Sequence, residues 1–519
     1  MEEVRDRIEG MLSGAGARVG TEAPLLAEEL TSFYRSREYR PLWVGDAGPL
    51  PGREELVAAI RRAGSEGLVP EDYHLSAILA QTGEDTPDGI AGLDLLLTGA
   101  FARYARDVGS GRPHARQADP EWFLVSDRGD HLQGLASAIA AGTLGKTVAS
   151  LPPPDPRYAR LREALDRYRR IAARGGWPVE LGTEALKSGV RDPAVLAVRE
   201  RLRATGDLQE PGGDELFDPD LERAVRRFQT RLGLEADGVV GKKTRSALAV
   251  PVADRISQII VNMERWRWMP RDLGLRYILV NMAGFDLRAF EGGREALGMR
   301  VIVGRAYRRT PSFGKSMTYL VFHPHWNIPP KLAVLDVLPK VRKDPNHLSK
   351  EGIRVFSGWG PGASELDPDA IDWSMVPRRP FPFKLRQDPG PRNALGRIKF
   401  MLPNRFDVYL HDTPHRELFR RAVRTFSSGC IRLEKPLDLA AFVLKPDPRW
   451  DPDRIQEAVE SFEQKTVSLT RPIPVYVVYW TAWVEEDGTV HFRDDVYGRD
   501  KRLEEALSRQ TAPRPTGPK

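Results

Sequence analysis

The chain has almost no cysteine: a single one, Cys430, in 519 residues. No internal disulfide can form, and a cysteine-rich structural zinc site is excluded. A lone cysteine is either a small buried hydrophobe or a nucleophile, so its neighbours decide. Long apolar runs are missing as well. No stretch reaches the roughly 18 apolar residues of a membrane span. The first residues, Met1-Glu-Glu-Val-Arg-Asp-Arg, are polar and lack the apolar core of a secretory signal. A cytosolic protein and an exported one without its leader both remain open. One-sided charge is lacking too. The net charge is +6, with both signs interspersed, so the concentrated basic patch of a nucleic-acid binder is absent and no nucleic-acid partner is expected. The rest is ordinary: 41% hydrophobic and 29% charged residues, with 42 prolines and 46 glycines that call for many loops. At roughly 100–200 residues per domain the length fits about three or four domains.

Periodicity divides the chain. Residues 1–20 read as a loose lead-in. A helical region follows over 21–185, with Leu25, Leu26, Leu30, Phe33 and Tyr34 at helical spacing. Leu95–Leu97, Phe101 and Tyr104 mark a buried helix, Gly67–Tyr73 a stop and restart, and Tyr158–Ala173 another helix. Residues 188–250 form a compact unit of three short helices. Asp192-Pro193 and Asp218-Pro219 are helix starts, Gly206 and Gly233 helix ends, and Asp237-Gly238 a turn. Phe228-Gln229, Gly233-Leu234, Asp237-Gly238-Val239-Val240-Gly241 and Thr244 together resemble a peptidoglycan-binding domain. On the residues alone, Phe228 and Leu234 are core and the glycines turn formers. An amphipathic helix spans Arg255–Trp268.

From Leu275 the period becomes two. Tyr277–Asn281, Phe285–Phe290, Met299–Val303 and Tyr319–Phe322 read as strands, and a strand pair is expected at Val475–Tyr479 and Trp483–Phe492, joined through Glu485–Gly488. Residues 503–519 read as frayed. A long insertion rich in proline and basic residues, Trp326 to Lys399, interrupts the strands and is expected to cap the substrate. The expected fold class is multi-domain α+β.

The chemistry concentrates in Val408-Tyr-Leu-His-Asp-Thr-Pro-His and Ser427-Ser-Gly-Cys-Ile-Arg-Leu. The strand delivers His411 at its end, and the polar turn presents Cys430. A free thiol is mostly protonated at neutral pH, and a neighbouring imidazole can take its proton. The thiolate then attacks a carbonyl, and the N–H groups of Gly429 and Cys430 are candidate oxyanion donors. Asp412 follows His411 directly, so its backbone carbonyl, rather than its carboxylate, is the expected partner of the imidazole.

His411-Asp-Thr-Pro followed by Ser427-Ser-Gly-Cys-Ile-Arg resembles the active-site signature of the L,D-transpeptidases. Ser428 stands where many members have histidine, as in the large multi-domain Gram-negative branch. Val303-Gly-Arg, Pro324-His-Trp-Asn-Ile-Pro-Pro and Pro391-Arg-Asn-Ala-Leu-Gly-Arg-Ile-Lys-Phe support the resemblance. Tyr39-Arg-Pro-Leu-Trp and Gly67–Tyr73 are similar to that branch's helical scaffold domain. The resemblance implies a scaffold domain at 21–185, a peptidoglycan-binding domain at 188–250 and a catalytic domain at 272–498, with the capping insertion at about 326–399. It implies that Cys430 is the acyl acceptor and His411 the base, with Tyr409, Ser428 and Arg432 beside them and Trp326 and Asn327 near the pocket wall. It further implies 3→3 cross-linking of stem peptides, acylation of the cysteine by carbapenems, peptidoglycan and other wall synthases as partners, and no cofactor. Such a substrate lies outside the inner membrane, which implies a periplasmic protein with its signal or anchor outside this chain.

Blander readings stand beside these. His415 is four residues after His411, but Pro414 breaks the helix that a metal pair would need; His323 and His325 read as packing or hydrogen-bonding residues, and no metal is expected. Arg432 either binds a carboxylate or pairs with Glu434. Trp326 either stacks on substrate or fills core, and Tyr409 is expected to face away from His411. A wall-cleaving cysteine peptidase, a non-catalytic wall-binding protein and a transpeptidase that attaches proteins to the wall are the alternatives.

Overall fold

A computed structural model of the chain describes residues 1–13, 24–45, 48–83, 85–126, 129, 131–209 and 213–509. Two compact units result: Met1–Asp272 with Trp480–Lys519, and Leu273–Tyr479. Residues 480–498, expected in the catalytic domain, therefore fall with the first unit.

The first unit is helical. Where a loose lead-in was expected, Glu2–Ser13 is a helix, because Val4, Ile8 and Leu12 make one buried stripe. The rest of that expectation, residues 14–20, lies outside the described residues. The central helix, Pro87–Gly109, starts where Thr86 accepts the N–H of Gly89 at 3.1 Å. It carries Asp94 into the core, where the carboxylate accepts the N–H groups of Leu42 (2.9 Å) and Trp43 (2.8 Å) and the hydroxyl of Tyr34 (2.5 Å).

The small module consists of helices Ala194–Ala204, Pro219–Arg231 and Lys242–Leu248. Asp192 accepts the N–H of Ala194 and Asp218 that of Leu221, both at 2.8 Å. Gly206 and Gly233 take φ of 78° and 67°, the left-handed helix end that glycine adopts without a Cβ penalty. Phe228 is core, but Leu234 is only half-buried. Gln229 explains the turn motif: its amide donates to Asp237 Oδ1 (2.7 Å) and Thr244 Oγ1 (3.0 Å) and accepts the N–H of Gly238 (2.8 Å).

The helix expected at Arg255–Trp268 runs Val252–Arg267, and its last turns are buried all round rather than amphipathic. Glu264, Arg265 and Arg267 are buried, with Glu264 between Arg112 (3.2 Å) and Arg267 (2.8 Å). Charge patterning in sequence reads such residues as solvated; only ion pairs make their burial tolerable. Ala482–Val484 pairs with Val490–Phe492 across the Glu485–Gly488 turn, so that turn does not join Val475–Tyr479. Helix Arg499–Arg509 runs into the segment expected to fray, so residues 503–509 are helical; residues 510–519 lie outside the described residues.

The second unit is β-rich. Its strands are β1 (Arg276–Asn281), β2 (Asp286–Glu291), β3 (Arg294–Gly304), β4 (Phe313–Phe322), β5 (Trp326–Ile328), β6 (Ile353–Phe356), β7 (Glu365–Leu366), β8 (Lys384–Gln387), β9 (Ile398–Met401), β10 (Leu410–His411), β11 (Thr425–Ser427), β12 (Ile431–Leu433) and β13 (Lys465–Val478). The main sheet has the order β11-β3-β12-β10-β9-β4-β13-β1-β2, and β2 also pairs with β3, closing the circuit. Helix Pro436–Leu444 follows β12. The insertion is a subdomain with its own sheet, ordered β5-β8-β6-β7, and its own core of Ile328, Leu338, Val341, Leu348, Val355 and Leu385. Chain at Ile398 has already rejoined the main sheet, so Lys399 belongs to that sheet and not to the insertion.

Candidate active site

Three adjacent strands build the site. β10 pairs antiparallel with β9, placing His411 opposite Lys399, and parallel with β12, placing His411 opposite Arg432. Leu410, Ile431 and Phe400 are fully buried on the other side of these strands and hold the register. Cys430 stands immediately before β12, half-buried, after Gly429 at φ 121°. That backbone conformation favours glycine over any residue with a Cβ.

His411 is buried, and its Nδ1 lies 2.6 Å from the carbonyl oxygen of Asp412. A carbonyl can only accept, so Nδ1 carries the hydrogen and Nε2 keeps its lone pair. The Asp412 carboxylate is engaged elsewhere, accepting the N–H of Arg397 (2.9 Å) and Nη1 of Arg416 (3.0 Å). Burial, with the Arg432 charge next, holds the His411 pKa down at about 3, against the raising effect of the Asp412 carbonyl. The imidazole is neutral at neutral pH.

Burial pushes the Cys430 thiol up, against hydrogen bonds from the Tyr409 N–H and hydroxyl and the charges of Lys399 and Arg432. The thiol sits 3.7 Å from the carbonyl oxygen of Asp407, and among the described residues no hydrogen bond joins it to His411. At rest both groups are thus neutral, one a thiol and the other an imidazole. Of the two expected oxyanion donors, the Gly429 N–H is engaged by Ser427 Oγ at 3.1 Å, while the Cys430 N–H has no partner among the described residues. Ser427 Oγ also donates to the Cys430 carbonyl (2.5 Å), and Thr310 Oγ1 to the Gly429 carbonyl (2.7 Å), which fixes the turn.

Tyr409 does not face away from His411. Residues two apart on a strand share a face, and the two rings are 5.6 Å apart. The Tyr409 hydroxyl also interacts with the Trp326 side chain, and burial raises it well above the ordinary phenol range. Trp326 is half-buried against the insertion's core, as the core-filling reading expects. Asn327 is the next residue on β5, so it points to the other face; it is exposed and in register with Arg386. Glu434 pairs with Arg300 (2.8 Å), leaving Arg432 without it, and Arg432 Nε is buried with no hydrogen-bond partner among the described residues. Ser428 is exposed, and its Oγ accepts Arg308 Nη1 at 2.9 Å. His323 Nε2 lies 2.7 Å from the Val459 carbonyl, and His415 Nδ1 lies 3.7 Å from Glu417. Among the described residues no cluster of three His, Cys, Asp or Glu side chains is placed to hold a metal. No described helix is long and apolar enough to cross a membrane.

Residue-by-residue reading missed Arg308, Asp336 and Lys399. Arg308 grips Asp336 of the insertion at 2.5 and 2.8 Å while it holds Ser428. Asp336 lies in a π-helical turn, Ala333–Val337, a form frequent at functional sites. Lys399 had one signal, a lysine between the buried Ile398 and Phe400.

Residues 275–466 match the family model of the L,D-transpeptidase catalytic domain. The chain carries an L,D-transpeptidase catalytic domain. Residues 191–248 match a peptidoglycan binding domain family and residues 28–165 a scaffold domain family. A Haemophilus influenzae protein named as a candidate L,D-transpeptidase is 36% identical over 226 residues, 44% of this chain and 45% of its own length. The N-acetylmuramoyl-L-alanine amidase CwlM of Mycobacterium tuberculosis is 42% identical over 74 residues, 12% of this chain and 18% of its own. The chain thus spans less than half the length of these curated relatives. A solved L,D-transpeptidase from Mycobacterium smegmatis aligns with 39% of this chain and 58% of its own at 13% identity; its TM-score of 0.19 is too low to support a structural comparison. Within the transpeptidase domain lie Cys430, His411 and the insertion, and the peptidoglycan binding module lies outside it.

Proposed function

We propose that this chain is a peptidoglycan L,D-transpeptidase that forms 3→3 cross-links through a thioester on Cys430, with His411 as general base. The observation that carries the reading is the orientation of His411: Nδ1 is tied to the Asp412 carbonyl, in an imidazole that stays neutral. A neutral imidazole is the state a base needs. As the Cys430 sulfur attacks the carbonyl between diaminopimelate and the terminal D-Ala of a donor stem, Nε2 takes the thiol proton. The Cys430 N–H holds the tetrahedral oxyanion. Collapse breaks the carbon–nitrogen bond, the proton passes to the departing D-Ala amine, and the thioester remains. The side-chain amine of a second diaminopimelate then attacks, His411 takes its proton, and the thiol leaves as the new amide forms. Thioester formation predicts acylation by carbapenems too.

The insertion serves as the substrate cap in this reading, supported by its own core and its tie to Ser428 through Arg308 and Asp336. The peptidoglycan binding module supports the substrate class, and a wall substrate is in keeping with work on the periplasmic side of the inner membrane. Other wall synthases are the natural partners of such an activity.

The test incubates the full chain with disaccharide-tetrapeptide muropeptides, with Cys430→Ala alongside, and reads products by mass spectrometry. A dimer lighter by one D-Ala than two monomers, absent with the variant, is expected. Tripeptide without dimer would replace transfer by hydrolysis, and unchanged tetrapeptide would remove the enzymatic reading.

A further inference from the structure

Cross-strand neighbours share a face, so the register of β9, β10 and β12 sets Lys399, His411 and Arg432 in one row. Tyr409 occupies the same face, and Lys399 Nζ lies 4.0 Å from the centre of its ring. Tyr409 also acts to hold the Cys430 thiol down, so it is close to the sulfur. Lys399 is half-buried and makes no ion pair among the described residues. An ammonium taken out of water without a carboxylate is costly, and an anion that forms beside it offsets that cost.

The charged and titratable groups facing the sulfur come from every side. Lys399 comes from β9, His411 from β10, Tyr409 from the residue just before β10, Asp407 from the turn before that, and Arg432 from β12, with Arg305 and Glu417 acting on Arg432. Burial lowers the Lys399 ammonium, and the Cys430 and Asp407 charges oppose that. His411 cannot supply lasting positive charge, because it stays neutral down to about pH 3. The stable thiolate–imidazolium pair of a cysteine peptidase is therefore disfavoured here.

We propose that the Lys399 ammonium is the counter-ion of the Cys430 thiolate, so that His411 carries the proton only in transit between the thiol and the leaving amine. Lys399 stabilises the sulfur anion through space and neither gives nor takes a proton. The proposal rests on Cys430 being the nucleophile.

Cys430 is the only cysteine, so alkylation of the full chain by iodoacetamide, read by mass spectrometry from pH 5 to 10, reports this sulfur alone. Replacing Lys399 by Met should move the midpoint of the pH profile up by about one unit, roughly tenfold slower alkylation at neutral pH. Lys399→Arg should return the rate to within about threefold of the parent, since the charge is kept. Lys399→Gln covers the case in which methionine disturbs packing, and the same upward shift is expected in it. An unchanged midpoint in a neutral variant that melts cooperatively overturns the proposal. So does an equal shift in the arginine variant, which would mark a packing effect. Normal muropeptide transfer with an unshifted profile would remove this role alone; a lysine-dependent profile without transfer would remove the transferase reading and leave the role standing.

Discussion

The orientation of His411 rests on a backbone carbonyl, and Gly396 offers a way to test that. Gly396 has φ 62°, and a Cβ added there would lie 2.4 Å from Asp412 Cγ and 2.5 Å from its Cβ. The contact includes Asp412 Cβ, so rotating the carboxylate cannot relieve it. Asp412 is also held by its own N–H on the Ile398 carbonyl at 2.9 Å. Gly396→Ala must therefore shift the Asp412 backbone, and with it the carbonyl on Nδ1 of His411. The left-handed conformation alone costs a residue with a side chain about 1–3 kcal/mol. At roughly 2–4 °C per kcal/mol for a unit of this size, melting should fall by about 2–12 °C. General base catalysis is worth about 10²- to 10⁴-fold, so transfer should fall by about 10²-fold or more.

The companion variant is Asp412→Asn. Where a carboxylate orients the catalytic imidazole, its amide replacement costs about 10⁴-fold. Here the carboxylate holds Arg397 and Arg416 and leaves the imidazole to the carbonyl. The loss should stay below about tenfold, the scale of one weakened hydrogen bond at about 1 kcal/mol. Muropeptide transfer and a thermal melt on both variants decide the matter. A loss near 10⁴-fold in Asp412→Asn, or a Gly396→Ala protein that melts and turns over like the parent, would refute the carbonyl argument.

Three further outcomes are expected. Arg308→Ala releases Ser428 from Asp336 and should slow transfer about tenfold, the worth of roughly 1.4 kcal/mol, with little change in iodoacetamide alkylation; Arg308→Lys should rescue little, because lysine lacks the planar fork. The folded pKa of His411, about 3, lies below its ordinary 6.5, so between those pH values only the unfolded chain takes the proton. Stability should then fall as pH drops through that window, by up to about 1.4 kcal/mol per unit, and His411→Gln should flatten the slope in urea titrations at pH 4 to 7; parallel slopes would contradict the neutral imidazole. Asp94→Ala strands the N–H groups of Leu42 and Trp43 and should cost about 3 kcal/mol in urea unfolding, with Asp94→Asn costing less; an Ala variant as stable as the parent would show that the carboxylate is replaceable.

What the sequence made legible was local. The change of period near Leu275 marked the β-rich domain, aspartate-proline pairs and glycines marked the three short helices, and the Ser427–Arg432 run marked the nucleophile turn. Interactions between distant segments were illegible. Glu264, Arg265 and Arg267 look solvated in a one-dimensional reading, because their partners, Arg112 and Asp119 among them, come from a remote segment that flanks the short helix Pro113–Gln117. Arg308 reads as one more basic loop residue until the turn of Ser428 and the insertion's Asp336 are seen beside it. The tie between Trp326 and Tyr409 likewise exists only once the insertion folds.

The row of Lys399, His411 and Arg432 shows how an apolar pattern can specify chemistry it does not contain. Shifting β9 by one residue against β10 would turn Lys399 to the opposite face and bring Ile398 or Phe400 toward the thiol. That slip is blocked because Ile398, Phe400, Leu410 and Ile431 are all fully buried on the opposite side, and a slip would expose them. Burying side chains of that size is worth about 1.5–3 kcal/mol each, far more than an exposed lysine could gain. The core side of three short strands thus holds the register, and the register delivers the polar row. Substitutions at Phe400 or Leu410 that leave the fold intact but loosen that register should disturb His411 and Lys399 together, although neither apolar residue faces the site.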